Sequence, residues 1–309
     1  MLKRTLYFGN PAYLSTANQQ MMITLADTGY KTTAPIEDIG VVVLDHQQIT
    51  ITQALMGRLL ENNVALITCN DSHHPTGLLL NLDGNTLQSR IFNAQIEASE
   101  PLKKQLWQQT IVAKIQNQAV ALACIRRGEG LERPLLQMAK EVRSGDADNL
   151  EAQAAAYYWK LFWPDLPDFT RDRFGDPPNN LLNYAYALLR ATMARALVGS
   201  GLLPTLGIHH SNQYNAYCLA DDIMEPYRPY ADMLTAGIAT DVKNMELIPA
   251  VKKQLLGLMA MDVQIQTGEG SGLQRSPLMN AMSRTTASLS RCFEGDARRI
   301  VYPAMQRPD

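Results

Sequence analysis

The 309-residue sequence predicts an α+β protein, with a small N-terminal β-rich domain followed by a larger all-helical one. Three observations carry that expectation. Short runs rich in β-branched and aromatic residues crowd the first seventy positions. Apolar residues spaced three to four apart dominate after about residue 86. Between these regions, NDSHHPTG at 70–77 reads as loop. The expected layout is a β-rich domain over 1–75, a linker over 76–90 and a helical domain over 91–309.

In chain order, RTLYF, QMMITL, VVVLD and ITIT read as strands, interrupted by the turn text GNP and HQQ. QALMGRLLENN follows the possible caps Thr50 and Thr52 and sets Ala54, Leu55, Leu59 and Leu60 on one helical face. VALIT then returns as a buried strand. Helical spacing marks LQSRIFNAQIEAS, PLKKQLWQQTIVAKIQNQAVALACIRRG, ERPLLQMAKEVRSG and NLEAQAAAYYWKLFW. It also marks NNLLNYAYALLRATMARALVGSG and IPAVKKQLLGLMAMDVQIQ. Breakers separate them: Gly128, Gly130, Gly145, PDLPD, GDPP and GSGLLP. TGEGSGLQRSP at 267–277 reads as a surface loop, and it lacks the strand and Lys-Ser/Thr context of a phosphate cradle.

Composition narrows the function classes. Hydrophobic residues make up 46% and charged residues 19%, enough to bury a sizeable core. The net charge of −2 excludes a polycation. Residues 1–100 carry five basic and nine acidic side chains, and 101–200 carry thirteen and ten. Basic character therefore lies away from the N-terminal third, and Arg275, Arg284, Arg291, Arg298, Arg299 and Arg307 add to it. Cys69, Cys124, Cys218 and Cys292 are far apart and form no CxxC pair, which argues against a zinc ribbon or disulfide framework and suits a reducing cytoplasm. No uninterrupted apolar stretch of about 18 residues occurs, so a soluble intracellular protein is expected.

The richest stretch is IHHSNQYNAYCLADDIMEPYRP, Ile208 to Pro229. Asp222 and Glu225 are three apart and project from one helical face. His210 precedes Glu225 by a separation that would span roughly 22 Å on one straight helix. A shared ion thus requires the backbone to break and fold back, and Ser211, Asn212, Asn215 and Pro226 offer the break. A third ligand is best sought at Glu151, in the first turn of GDADNLEAQAAAYYW. Asp146, Asp148 or Asn149 can cap that helix, and its alanines allow close approach of another element. Each residue has a plainer reading. Glu151 suits the helix dipole, Asp221, Asp222 and Glu225 suit a solvated face, and His209 and His210 suit a hydrogen-bonded corner. Spacing alone stops at a possible site of one histidine and carboxylates.

HSNQYNAYCLADDIMEPYRP resembles the HxNxFNxxNLAxDLMEPFRP signature of the CRISPR-associated integrase, the Cas one family, particularly its type II branch. GDADNLEAQAAAYYWKLFW is similar to the family's glutamate-containing helix. NNLLNYAYALL resembles its NxxLNYGYALL segment, and KKQLWQQTIVAKIQNQA its type II helix before the first ligand. The resemblance covers nearly the whole chain. It implies Glu151, His210 and Glu225 as ligands of Mg²⁺ or Mn²⁺, with Asp222 a nearby acid in the catalytic set. Ala152, Ala185 and Cys218 depart from the usual Gly, Gly and Asn.

One imidazole with two carboxylates suits a hard divalent ion with open positions. The implied reaction is attack by the 3′-hydroxyl of a DNA fragment on a phosphodiester at the edge of a CRISPR repeat, and water in its place gives endonuclease activity. DNA contacts would fall to Arg126, Arg127, Arg171, Arg173 and the C-terminal arginines. The resemblance further implies a homodimer through the β domain, a small ferredoxin-like partner (Cas two) and, in type II systems, help from the RNA-guided effector nuclease. Competing readings are a non-catalytic DNA-binding scaffold and a helical metallohydrolase of small molecules.

Overall fold

Val41, Val42 and Val43 are all buried, because successive side chains of one strand face two different cores. The computed structural model describes residues 3–241, 245–266 and 272–306. Strands β1 (Arg4–Phe8), β2 (Ala12–Ala17), β3 (Gln20–Leu25), β4 (Lys31–Pro35), β5 (Ile39–Leu44) and β6 (Thr50–Ile51) precede helix α1 (Gln53–Glu61). β7 (Ala65–Cys69) and β8 (Pro75–Leu79) follow. They form two four-stranded sheets, ordered β1-β5-β7-β8 and β4-β3-β2-β6. β5 runs parallel to β1 and β7, while β8 is antiparallel to β7.

Phe8, Leu14, Met21, Val42, Leu55, Leu59 and Leu66 fill the core of this N-terminal part. The opposite face of the first sheet, with Val41, Val43, Ala65 and Ile67, joins the helical core. Thr52 caps α1 by accepting from the amide of Leu55. β2, β4 and β8 were not expected from the sequence. β8 opens on a proline and has no fully buried position, the mark of an edge strand that carries little apolar signal. The first sheet therefore continues past residue 75 into the stretch expected to be linker.

The helical part comprises α2 (Gln88–Ile96), α3 (Glu100–Ile125), α4 (Arg133–Glu141), α5 (Leu150–Phe162) and α6 (Asn179–Gly199). α7 (Cys218–Met224), α8 (Arg228–Asp241), α9 (Pro249–Leu256) and α10 (Leu278–Phe293) complete it. It is not all-helical. The helix expected to run on through DVQIQ ends at Leu256, and β9 (Asp262–Gln266) pairs antiparallel with β10 (Leu273–Pro277). Val263 and Ile265 are buried while Asp262 and Gln266 are exposed, a period of two that the preceding helical run masks. Of the expected loop at 267–277, residues 267–271 lie outside the described residues and Leu273–Pro277 form β10. Helix α10 escapes the apolar pattern because Thr285 and Thr286 stand on its buried face, with hydroxyls satisfied by Val301 O (2.6 Å) and Ala196 O (3.0 Å).

A polar peg joins the two parts. The buried Asp45 carboxylate, just after β5, accepts from Lys252 of α9 at 2.7 Å and Tyr7 at 2.6 Å, and contacts His73 Nδ1 at 2.8 Å. Burial alone would raise this carboxyl, but those partners outweigh it and hold it below the usual carboxylate range. Among the described residues, no helix is long and apolar enough to cross a membrane.

Candidate active site

Trp107, Ile111, Lys114 and Gln118 recur every three to four residues along the buried stripe of α3. Two of them face polar groups that other elements deliver. Glu151 comes from the first turn of α5, whose free amides are capped from outside the helix. Asp146 accepts from Leu150 N and Glu151 N, both at 2.9 Å. Of the three expected caps, Asp146 does this work, while Asp148 pairs with Arg143 and Asn149 sits in the left-handed region. Ala152 is exposed and Ala154 buried, so the helix approaches its neighbours through the latter.

His210 reaches the same region because the chain folds back, as sharing an ion with Glu225 would require. Residues 208–217 form a loop before α7, and Asp222 organises it. This fully buried carboxylate accepts the amides of Ile208 (2.8 Å), His209 (2.9 Å) and His210 (3.3 Å), and also contacts His210 Nδ1. Gly207 completes the cradle. A Cβ there would lie 2.3 Å from His210 O and 2.8 Å from Asp222 Oδ2. The asparagines shape the loop rather than cap α7: Asn212 accepts from Tyr214 N and Asn215 from Tyr217 N, each at 3.0 Å. All of α7 is buried, including Asp221, which pairs with Arg190 at 2.6 Å. The solvated-face reading of these acids therefore fails.

Pro226 tightens the chain after α7 into a single 3₁₀ turn, Glu225–Tyr227, whose Pro226 carbonyl accepts from Asn117 of α3 at 2.8 Å. That turn aims Glu225 at the α3 stripe. Lys114 Nζ contacts Glu151 Oε1 and lies 2.6 Å from Glu225 Oε2, while Arg228 reaches Glu225 Oε1 at 2.9 Å.

The charges follow from these contacts. Burial disfavours the ionised form of Glu225, but Arg228 and Lys114 outweigh it and hold its carboxyl below the ordinary range. Burial likewise works against the Lys114 ammonium, and Glu225 and Glu151 more than offset it, so its pKa is raised. The bond to Asp222 raises His210, and its imidazole and Glu225 each feel the other's charge. His209 goes the other way. Its ring stacks on Trp107 with centroids 4.1 Å apart, and the burial of that face lowers its pKa. Behind Glu225, Arg228 lies over the Tyr186 ring at 4.8 Å, and Tyr186 and Tyr158 donate to the buried Asp232 at 2.6 and 3.1 Å.

The four expected site residues thus fall into two joined pairs, Glu151 with Glu225 across Lys114, and His210 with Asp222. Among the described residues, no three His, Cys, Asp or Glu side chains stand as a ready-made metal-holding group, and the Lys114 ammonium lies between the two glutamates. The donor set nevertheless fits a hard divalent cation. Two carboxylates converge on one cation, the Lys114 ammonium, and Asp222 engages His210 Nδ1, which leaves Nε2 as the ligating nitrogen.

Sequence reasoning missed Lys114, Trp107, Arg228 and Asn117. A lysine inside the apolar stripe of the longest helix was the available signal. Of the expected DNA-contacting arginines, Arg126 is bound to Glu129 through two 2.8 Å bonds, and Arg171 is bound to Asn179 (2.9 Å) and Asn183 (2.7 Å). Arg127 and Arg173 are exposed. Arg275 pairs with Asp262 at 3.1 Å, and Arg307 lies outside the described residues.

The model of the family described as CRISPR associated protein Cas1 matches residues 6–244. The CRISPR-associated endonuclease Cas1 of Neisseria meningitidis serogroup C (strain 8013) is 37% identical over 268 residues, 86% of either chain. In fold, the chain is similar to a casposase bound to integration product, with a TM-score of 0.77 at 19% identity, covering 97% of this chain and 92% of that one. It is also similar to a chain of a Cas6-RT-Cas1–Cas2 complex, with a TM-score of 0.74 at 18% identity, covering 98% of this chain and 36% of the other. With the family model spanning both the β-rich part and the His210–Glu225 loop and turn, the chain belongs to the Cas1 family.

Proposed function

We propose that the protein is a divalent-metal-dependent DNA integrase and endonuclease of CRISPR adaptation. It inserts short double-stranded fragments into the CRISPR array by 3′-hydroxyl transesterification. The observation that carries this reading is the convergence of Glu151 and Glu225 from separate elements on the Lys114 ammonium, with His210, held by the buried Asp222, close enough to Glu225 for each to feel the other's charge. Glu151, Glu225 and His210 Nε2 would hold Mg²⁺ or Mn²⁺. Such an ion, when bound, polarises the phosphoryl oxygens and stabilises charge on the attacking and leaving oxygens.

The chain's own groups do the rest. Asp222 orients the His210 ring and ties down the loop that carries it. Arg228 keeps Glu225 ionised, and the Asn117 bond to Pro226 O fixes the turn that presents it. No side chain need form a covalent intermediate, because a 3′-hydroxyl or water is the nucleophile. DNA would be gathered by exposed Arg127 and Arg173, with Arg171 placed near the site through its contact over Tyr186 at 5.1 Å.

The partners we assign are DNA, a second copy of the chain through the β-rich part, a Cas2 dimer and, in a type II system, the effector nuclease. The fold shared with a Cas1–Cas2 assembly and with a casposase bound to integration product supports the first and third of these readings. The test is strand transfer of short duplexes into a repeat-containing plasmid with Mn²⁺. Glu225→Ala should reduce the rate by at least about a hundredfold, in line with removal of a group that anchors transition-state charge stabilisation. Undiminished activity would sink the assignment.

A further inference from the structure

Lys114 is an unusual residue for the middle of a buried helix stripe. Its side chain is 7% exposed, and lysine is almost never fully buried unless paired. Here it is paired twice, to Glu151 and to Glu225, the two carboxylates assigned above to the metal. Arg228 already occupies the other oxygen of Glu225. A divalent ion bound by both glutamates would meet the ammonium at close range, and like charges in a buried site repel strongly. The two cations therefore compete for one pair of carboxylates.

A second feature shows where the ammonium can go. Gln118 stands one helical turn further along the same stripe and is buried, and its Oε1 has no hydrogen-bond partner. Side chains on a helix lean toward its N-terminus, so the Gln118 amide leans back toward Lys114. A buried carbonyl oxygen without a donor is costly to leave so. A flexible four-carbon stem lets an ammonium swing to such an acceptor.

We propose that Lys114 is a built-in counter-cation of the Glu151–Glu225 pair. It holds the two carboxylates together before metal arrives, and withdraws toward Gln118 Oε1 when the ion binds. Metal affinity is then set by competition with a residue of the chain itself, so the site is pre-assembled yet resists casual loading. This rests on Glu151 and Glu225 being the ligands.

The test measures Mn²⁺ binding to the full-length protein by the electron paramagnetic resonance signal of free Mn²⁺. Thermal midpoints with EDTA and with Mn²⁺ are followed in parallel. Lys114→Met should bind Mn²⁺ at least about tenfold more tightly than wild type, because an unpaired buried carboxylate pair is strongly unfavourable and the ion relieves it. Its midpoint should fall in EDTA and recover with Mn²⁺ by more than the wild type gains. Gln118→Leu should bind Mn²⁺ more weakly than wild type while keeping its EDTA midpoint. If Lys114→Met does not fold, Lys114→Gln carries the same comparison. Equal or weaker binding by the lysine variants, with wild type binding normally, overturns the counter-cation role alone. Absence of Mn²⁺ binding in wild type and variants alike overturns the ligand assignment and this inference with it.

Discussion

Replacing Asp222 with alanine should unfasten the loop that carries His210, and the expected size of the effect follows from its contacts. The carboxylate is fully buried and takes three backbone N–H groups and an imidazole nitrogen. A hydrogen bond to a charged acceptor contributes about 1.5–3 kcal/mol. Ile208 is buried and its amide would be stranded, whereas His209 and His210 are exposed enough for water to replace part of what they lose. The net loss should be about 3–5 kcal/mol, read by urea denaturation, or a fall in midpoint on the order of 10 °C by calorimetry. Asp222→Asn retains one oxygen that can accept from Ile208 and His209 but turns an amide group toward His210, so it should lose about half as much. In both variants the His210 pKa, raised first by its bond to Asp222, should move back down in an NMR titration. An alanine variant that loses less than about 1 kcal/mol, or an unchanged His210 titration, would refute the view that this carboxylate organises the loop.

Two further substitutions probe the surroundings. Asp232 is wholly buried, and its pKa is raised to about 7 by burial, which the Tyr186 and Tyr158 hydroxyls only partly oppose. A carboxyl raised in the folded state adds stability that is complete below the unfolded pKa and disappears as pH climbs through the folded one. Relative to wild type, Asp232→Asn should therefore gain up to about 4 kcal/mol between pH 4 and pH 7, seen as a narrowing or reversal of the midpoint difference across that window. Lys252→Met removes the cation from Asp45 at the junction of the β-rich and helical parts and should cost about 3–5 kcal/mol at pH 7. Because the Asp45 pKa is lowered in the folded protein, that cost should shrink as the medium is acidified below the ordinary carboxylate range, and a pH-independent loss would contradict it.

How far the fold could be read from the sequence depended on how strongly each element signals its own environment. The strands RTLYF, QMMITL and VVVLD and the long helices α3, α5 and α6 declare themselves, because burial on one or both faces leaves a dense apolar pattern. Edge strand β8 and hairpin β9–β10 do not, since half their positions face outward and their pairing is decided by neighbours elsewhere in the chain. Helix α10 hides behind threonines whose polarity is cancelled only by carbonyls of other segments.

The site divides in the same way. Glu151, His210, Asp222 and Glu225 were singled out through their motif, and helix rise implied a reversal between His210 and Glu225 if the two share an ion. Lys114, Asn117, Trp107 and Arg228 were not, because each acts through a partner remote in sequence or through a turn whose shape depends on packing. The linear chain determined which donor types were present and that only a fold-back could let His210 and Glu225 meet. Tertiary structure alone decided that a lysine from a third helix stands between the two glutamates, since the meeting of charges from three separate elements is set by how those elements pack and not by local propensity.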